Sequence, residues 1–150
     1  MRTISRDIVG AFIFSKDEKI LLGKSISGGV YKDCWIVPGG GIDVGESQIG
    51  ALKREVLEEV GIDISNSKIQ LIDGALTGES EKVLRDTNEK VLVKMTFYNY
   101  QVIMAENASE ITIACEDDLA DGEWFSASSL SDMRLSDPTV VTLKKIGFIK

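Results

Sequence analysis

An α+β domain, a mixed sheet with helices on its faces, is predicted for this 150-residue chain by three observations. Two long runs, residues 7–14 (DIVGAFIF) and 91–104 (VLVKMTFYNYQVIM), are β-branched and aromatic and contain no proline, as buried strands require. Between them, residues 47–61 carry apolar side chains at helical spacing, with Ser47 and Gly61 where a helix should start and stop. At 43% hydrophobic and 27% charged residues, the composition is that of an ordinary globule, not of a disordered or fibrous chain.

Taken in order, the strand over 7–14 is followed by a charged turn, Ser15 to Lys19, and a second strand at Ile20-Leu21-Leu22, together a hairpin. KSISGGVYK, residues 24–32, reads as a glycine-bearing loop. Cys34-Trp35-Ile36-Val37 is a short strand closed by Pro38, and Gly39-Gly40-Gly41 is either a tight turn or a backbone that comes close to a ligand. After the helix, a third strand is expected over Lys68–Leu76, then a polar loop from Thr77 to Lys90, then the strand over 91–104, with Ile111–Ala114 as a further piece of sheet. Trp124-Phe125 is a short strand, a helix follows from Ser126 to Leu130, and a last helix, capped by Asp137 with Pro138 at its first position, runs to about Ile146. Neither repeat nor linker interrupts the chain, so residues 1–150 are expected to form one domain.

The formal charge is −7 and histidine is absent. The first makes direct binding to duplex nucleic acid an unsuitable role. The second excludes Ser-His-Asp and Cys-His catalysis, HExxH zinc sites and a histidine base, leaving proton transfer to carboxylates, lysines or tyrosines. Cys34 and Cys115 form neither a CxxC pair nor a disulfide pattern and are expected to be reduced and at least half-buried, which points to the cytoplasm. The N-terminal apolar run is too short for a leader, and no stretch approaches the ~20 apolar residues of a membrane span.

The stretch that carries chemistry is GGIDVGESQIGALKREVLEEVGI, residues 40–62. On a helix Glu55, Glu58 and Glu59 share an arc of about 100°, beside an apolar arc of about 80° made by Ile49, Leu52, Val56 and Val60. The acidic row is therefore expected to face a cleft or solvent. Like charges at this spacing repel, and carboxylates near a helix C-terminus meet the negative end of the dipole. Arg54 offsets part of that cost and a divalent cation the rest, and oxygen-only ligands suit Mg²⁺ or Mn²⁺. EVLEEVG alone reads as an ordinary solvated face. Gly40 and Glu46 at their offsets turn it into a site, since the whole pattern arises by chance roughly once in ten million chains of this length.

Gly40, Glu46, Arg54, Glu55, Val56, Glu58, Glu59, Gly61 and Ile62 match without departure the signature G-x5-E-x7-R-E-U-x-E-E-x-G-U, U being bulky aliphatic. In this the chain resembles the Nudix hydrolases. The resemblance implies an α/β/α sandwich, metal binding by Glu55, Glu58 and Glu59, and ion pairing of Arg54 to hold them in place. It implies that the backbone carbonyl of Gly39 completes the metal shell and that Glu46 orients the cluster or binds through water. It also implies a further carboxylate before a tryptophan-bearing strand; of Glu116, Asp117, Asp118, Asp121 and Glu123, Asp118 is the choice, as ligand or as general base.

Features that mark ADP-ribose, dinucleoside polyphosphate, NADH and coenzyme A specialists in that family are absent: Thr77, Gly78, Glu79 and Ser80 stand where the first two need proline and tyrosine, and the only prolines are Pro38 and Pro138. A nucleoside triphosphate pyrophosphohydrolase remains. GVYKDCWIVPGGGIDVGES and DPTVVTLKKIGF are similar to segments of bacterial nucleoside triphosphatases that prefer pyrimidine deoxynucleotides. An oxidised purine triphosphate or a nucleotide sugar stays open as substrate, and a non-catalytic nucleotide sensor as the alternative class. Tyr31, Trp35 and Phe97 are candidates for base stacking, and Lys24, Lys32 and Arg85 for phosphate contacts.

Overall fold

The structure is a computed structural model that describes residues 1–26, 33–115 and 119–150. Its strands are β1 (Arg2–Phe14), β2 (Ile20–Ser25), β3 (Trp35–Ile36), β4 (Gly39–Gly41), β5 (Lys68–Val83), β6 (Lys90–Ile103) and β7 (Leu119–Phe125). The helices are α1 (Gln48–Val60) and α2 (Asp137–Lys145). One mixed sheet runs in the order β3-β2-β1-β6-β5, with β4 added to β1 and β7 to β2. β1 lies parallel to β6 from Arg2↔Val91 to Phe14↔Ile103, and β5 lies antiparallel on the far side of β6.

The feature that builds the site is a fork. β1 and β2 pair only at Phe14↔Ile20 and then part. Residues 35–41 enter the gap: Trp35 and Ile36 pair with Lys24 and Gly23 of β2, whereas Gly39, Gly40 and Gly41 pair with Gly10, Val9 and Ile8 of β1. Pro38, which has no N–H to offer a ladder, sits at the crossing, and its carbonyl accepts from Ala11 N at 2.8 Å.

Alternation along β1 produces three layers. Val9, Ala11 and Ile13 turn to one face and pack with Leu52, Val56 and Val60 of α1. Phe12 and Phe14 turn to the other and pack with Leu143 of α2. The sequence-based sandwich and the α+β class agree with this arrangement.

Several element bounds differ from expectation. β1 starts at Arg2, five residues early, and β5 continues to Val83, so that most of the expected polar loop from Thr77 to Lys90 is strand and only residues 84–89 turn. The polar composition misleads because this end of the ribbon is solvated and held by cross-strand charge: Lys90 to Glu81 at 3.2 Å, Lys94 to Glu79 at 3.8 Å and Arg2 to Glu89 at 2.8 Å. Ile111–Ala114 is not a strand; Ala114 N donates to Val60 O at 2.9 Å and ties the segment to the end of α1. β7 begins at Leu119, before Trp124. The helix expected from Ser126 is a 3₁₀ turn over Ala127–Asp132, and the residue that caps α2 is Ser136, with Asp137 already in the first turn. Cys34 is buried, Cys115 half-buried, and both are free. No helix among the described residues is long and apolar enough to cross a membrane.

Candidate active site

α1 is bounded as its sequence dictates. The Ser47 hydroxyl accepts from Gly50 N at 3.0 Å, and Gly61 closes the helix at φ 70, a conformation that suits glycine. Counting about 100° per residue from Leu52 at the centre of the core stripe, Glu59 lies only about 20° away, Glu55 about 60° and Glu58 about 120°. Exposure follows that angle: Glu59 is 7% exposed, and the side chains of Glu55 and Glu58 are 14% and 48% exposed. The acidic row is therefore not uniformly open, as expected from its shared arc, but graded from core to solvent.

Arg54 stands at the centre and uses all five of its N–H donors. Nε and Nη2 grip Glu46 as a fork, at 2.7 and 2.9 Å; Nη1 reaches Glu55 at 2.9 Å and Glu58 at 3.3 Å; Nη2 also donates to the Gly41 carbonyl at 3.0 Å. Asp43, which the sequence did not single out, adds a carboxylate 3.4 Å from Nη2 and donates its backbone N–H to Glu46. Arg54 and that amide hold the Glu46 carboxyl at about 2, well below its usual range, and the surrounding carboxylates push the Arg54 guanidinium higher still. Glu55 goes the other way: burial raises its pKa against the opposing pull of Arg54, and it shares a hydrogen bond with Glu59.

The glycines of β4 make room for this. A Cβ on Gly40 would come within 2.5 Å of both carboxylate oxygens of Glu55, and one on Gly39 would strike the Val9 carbonyl. At the other end of the cluster, the Tyr100 hydroxyl donates a short hydrogen bond to Gln48 at the first turn of α1.

The fold thus brings together Glu46, Arg54, Glu55, Glu58, Glu59 and Gly40, with Gly39 one residue along β4. Asp118, its neighbours Glu116 and Asp117, and Tyr31 and Lys32 lie outside the described residues. Trp35 is half-buried against Phe125 with ring centres 5.0 Å apart, and Lys24 Nζ is 5.8 Å from its ring. Phe97 is half-buried on β6 opposite Ile8 and Leu76, and Arg85 lies in the turn between β5 and β6.

An all-oxygen donor set fits Mg²⁺ or Mn²⁺, and the backbone cradle at Gly40 holds one of its carboxylates in place. Among the described residues no three acidic or cysteine side chains already converge on one point. The reason is visible in the geometry: Arg54 Nη1 stands between Glu55 and Glu58, 2.9 and 3.3 Å from their oxygens. A surface concavity of about 400 Å³, lined by Ala127, Ser128, Leu130, Ser131 and Phe148, shares no residue with the cluster.

A NUDIX domain model matches residues 5–144. The RNA pyrophosphohydrolase of Ruthia magnifica is 39% identical over 61 residues, 41% of this chain and 32% of that protein. Diphosphoinositol polyphosphate phosphohydrolase 2 of Rattus norvegicus is 43% identical over 51 residues, 34% of this chain and 27% of that protein. The chain thus spans about a third or less of the length of these curated relatives. In fold it is similar to the NUDIX domain of Shewanella oneidensis NrtR solved with ADP ribose, with a TM-score of 0.67 at 18% identity, over 95% of this chain and 86% of that one. It is similar also to a MutT structure from a study of Aliivibrio salmonicida and Vibrio cholerae, with a TM-score of 0.64 at 20% identity, over 95% and 98%.

Proposed function

The chain belongs to the NUDIX family, and from that premise we propose that it is a Mg²⁺-dependent pyrophosphohydrolase that cleaves a nucleoside triphosphate to the monophosphate and pyrophosphate. The observation that carries this is the gathering of Glu55 and Glu58 on Arg54, with Glu59 hydrogen-bonded to Glu55, beside a backbone without side chains. A binding module has no need for carboxylates that repel both one another and a phosphate ligand.

Glu55, Glu58 and Glu59 would hold the metal, with the Gly39 carbonyl as a further ligand. Bound there, the ion supplies neutralisation of the phosphate oxygens and a water of lowered pKa. Arg54 keeps the carboxylates in register, and Glu46, gripped on two nitrogens, fixes Arg54. In the reaction an oxygen of water bonds to phosphorus, the P–O bond of the anhydride breaks, and the water proton passes to a carboxylate, since no histidine is present. Asp118 is the proposed acceptor or an additional ligand. The charge of −7 favours a small nucleotide over a nucleic-acid end, and a cytoplasmic place follows from the reduced cysteines.

The test is a panel of nucleoside triphosphates, canonical and oxidised, with nucleotide sugars, 5′-triphosphate RNA and diphosphoinositol polyphosphates, each with Mg²⁺ and products separated by chromatography. Monophosphate and pyrophosphate from a triphosphate are expected. Turnover of none, with binding retained, would instead make the chain a nucleotide sensor.

A further inference from the structure

Carboxylates on α1 can hold a metal only if the helix presents them in one direction, and the core beneath it leaves that direction loose. Leu52, Val56 and Val60 meet the sheet through apolar contacts, which are non-directional and tolerate a small roll of the helix about its axis. Side-chain ends lie about 5 to 6 Å from that axis, so a roll of about 10° carries a carboxylate about 1 Å. One hydrogen bond restricts the roll. Counted from Leu52 as before, Gln48 lies about 40° round, on the side of Glu59 at about 20° and Glu55 at about 60°. Gln48, Glu55 and Glu59 therefore form one stripe, and the side-chain oxygen of Gln48 accepts the hydroxyl of Tyr100. Whatever holds Gln48 in direction holds the two carboxylates as well.

Tyr100 is a firm post for this. It stands on β6 between Ala11 of β1 and Leu71 of β5, and it is buried in the core under α1. Burial raises its pKa, so the hydroxyl keeps its proton and remains a donor. The same ladder carries β4: Tyr98, two residues back, is level with Val9, and Val9 with Gly40, the glycine that gives Glu55 its room. Both ends of the stripe are thus set against one template, Gln48 on Tyr100 and Glu55 on Gly40, about 10 Å apart along the helix. Arg54 acts at mid-helix, on the segment from β4 onward. The cap at Ser47 bonds within the helix end itself and has no say in its roll.

We propose that Tyr100 is a positioning residue: acting through Gln48, its hydroxyl fixes the roll of α1 and so the direction in which Glu55 and Glu59 meet a divalent cation. The role rests on the metal-dependent reading above and assigns Tyr100 no contact with metal or substrate.

The experiment compares Tyr100→Phe, Gln48→Leu, Gln48→Glu and Ser47→Ala with wild type, at a temperature where the far-UV spectrum shows every variant folded. It measures Mn²⁺ binding by titration calorimetry without nucleotide, and kcat and KM for the best triphosphate at saturating Mg²⁺. Tyr100→Phe keeps the buried ring and Gln48→Leu keeps the helix, but each removes the bond. Each is expected to weaken Mn²⁺ binding and lower kcat about tenfold, with KM within about twofold of wild type. The double variant falls no further than either single one, since all three lose the same bond. Gln48→Glu keeps an acceptor and stays near wild type. Ser47→Ala weakens the same end of the helix but leaves the tether, and changes neither value. Wild-type Mn²⁺ affinity and kcat in Tyr100→Phe and Gln48→Leu overturn the proposal, as does an equal loss in Ser47→Ala, which would make the effect one of helix stability. A wild-type protein that neither binds Mn²⁺ nor turns over a nucleotide is a distinct result: it removes the metal-dependent reading and the proposal with it.

Discussion

Adding one methyl group to Gly40 or to Gly39 should have opposite consequences. At Gly40 the new Cβ meets both Glu55 oxygens at 2.5 Å, where ordinary contact begins at 3.4 Å, so the carboxylate must retreat by about 1 Å. Its side chain is flexible and the space toward Arg54 is polar, so the fold yields cheaply, by about 1 kcal/mol at the low end of the overpacking range. The chemistry does not, because misplacing a functional group by about 1 Å costs on the order of 100-fold in rate. At Gly39 the methyl meets the backbone of Val9 and Gly10, which has no rotamer to change, and β4 must leave β1. That variant should lose about 3 kcal/mol or more. Urea unfolding with steady-state kinetics separates the two: Gly40→Ala lowers its midpoint only about a third as far as Gly39→Ala does, and loses kcat about 100-fold although it stays folded. Normal kcat in Gly40→Ala would refute the idea that contact with β4 positions Glu55.

Glu58→Gln and Glu59→Gln should each lower kcat about 100-fold or more with the far-UV spectrum unchanged; near-normal turnover in both removes the catalytic assignment. Glu55→Gln should stabilise the metal-free protein at pH 7. Burial raises the folded pKa of Glu55, so the native state binds its proton more tightly and loses stability as pH rises from the unfolded value of 4.5 through the folded one. Saturating Mg²⁺, worth about 2.7 kcal/mol at 100 times its Kd, should then stabilise wild type and not Glu55→Gln, read as melting temperature. Glu46 has the opposite sign. Its folded pKa of about 2 lies below the unfolded 4.5, so its contribution is complete above 4.5 and disappears as pH falls toward 2. Glu46→Gln should flatten that limb of a stability-against-pH curve, and an unchanged limb would show that the Arg54 fork does not hold Glu46 in solution.

Legibility in the sequence followed the range of the interaction. Ser47 and Gly61 act within one helical turn of themselves, and both helix ends were readable. The burial of Glu59 was also readable, since its angle from Leu52 is smaller than that of Glu55, although grouping the three carboxylates as one arc hid the difference. The end of β5 was not: Thr77 to Val83 is polar on both faces, and its strand state comes from pairing with β6. Asp43 reaches Arg54 because β4 enters the fork between β1 and β2, a contact between segments distant along the chain that no local pattern announces.

The arginine and the acidic row together explain how carboxylates this close persist on one helix. Arg54 makes two kinds of bond. Its fork to Glu46 joins the segment after β4 to α1 through short bonds of 2.7 and 2.9 Å, with a carboxyl at about 2 that stays charged at any working pH. Its contacts with Glu55 and Glu58 use one nitrogen shared between two acceptors, the second at 3.3 Å. A divalent cation would displace these single N–H contacts from two carboxylates more easily than it would break a bidentate fork. On the proposed reading, metal binding by Glu55 and Glu58 would exchange the second kind and leave the first, so that the residue that now offsets the repulsion along the helix face would remain to align it.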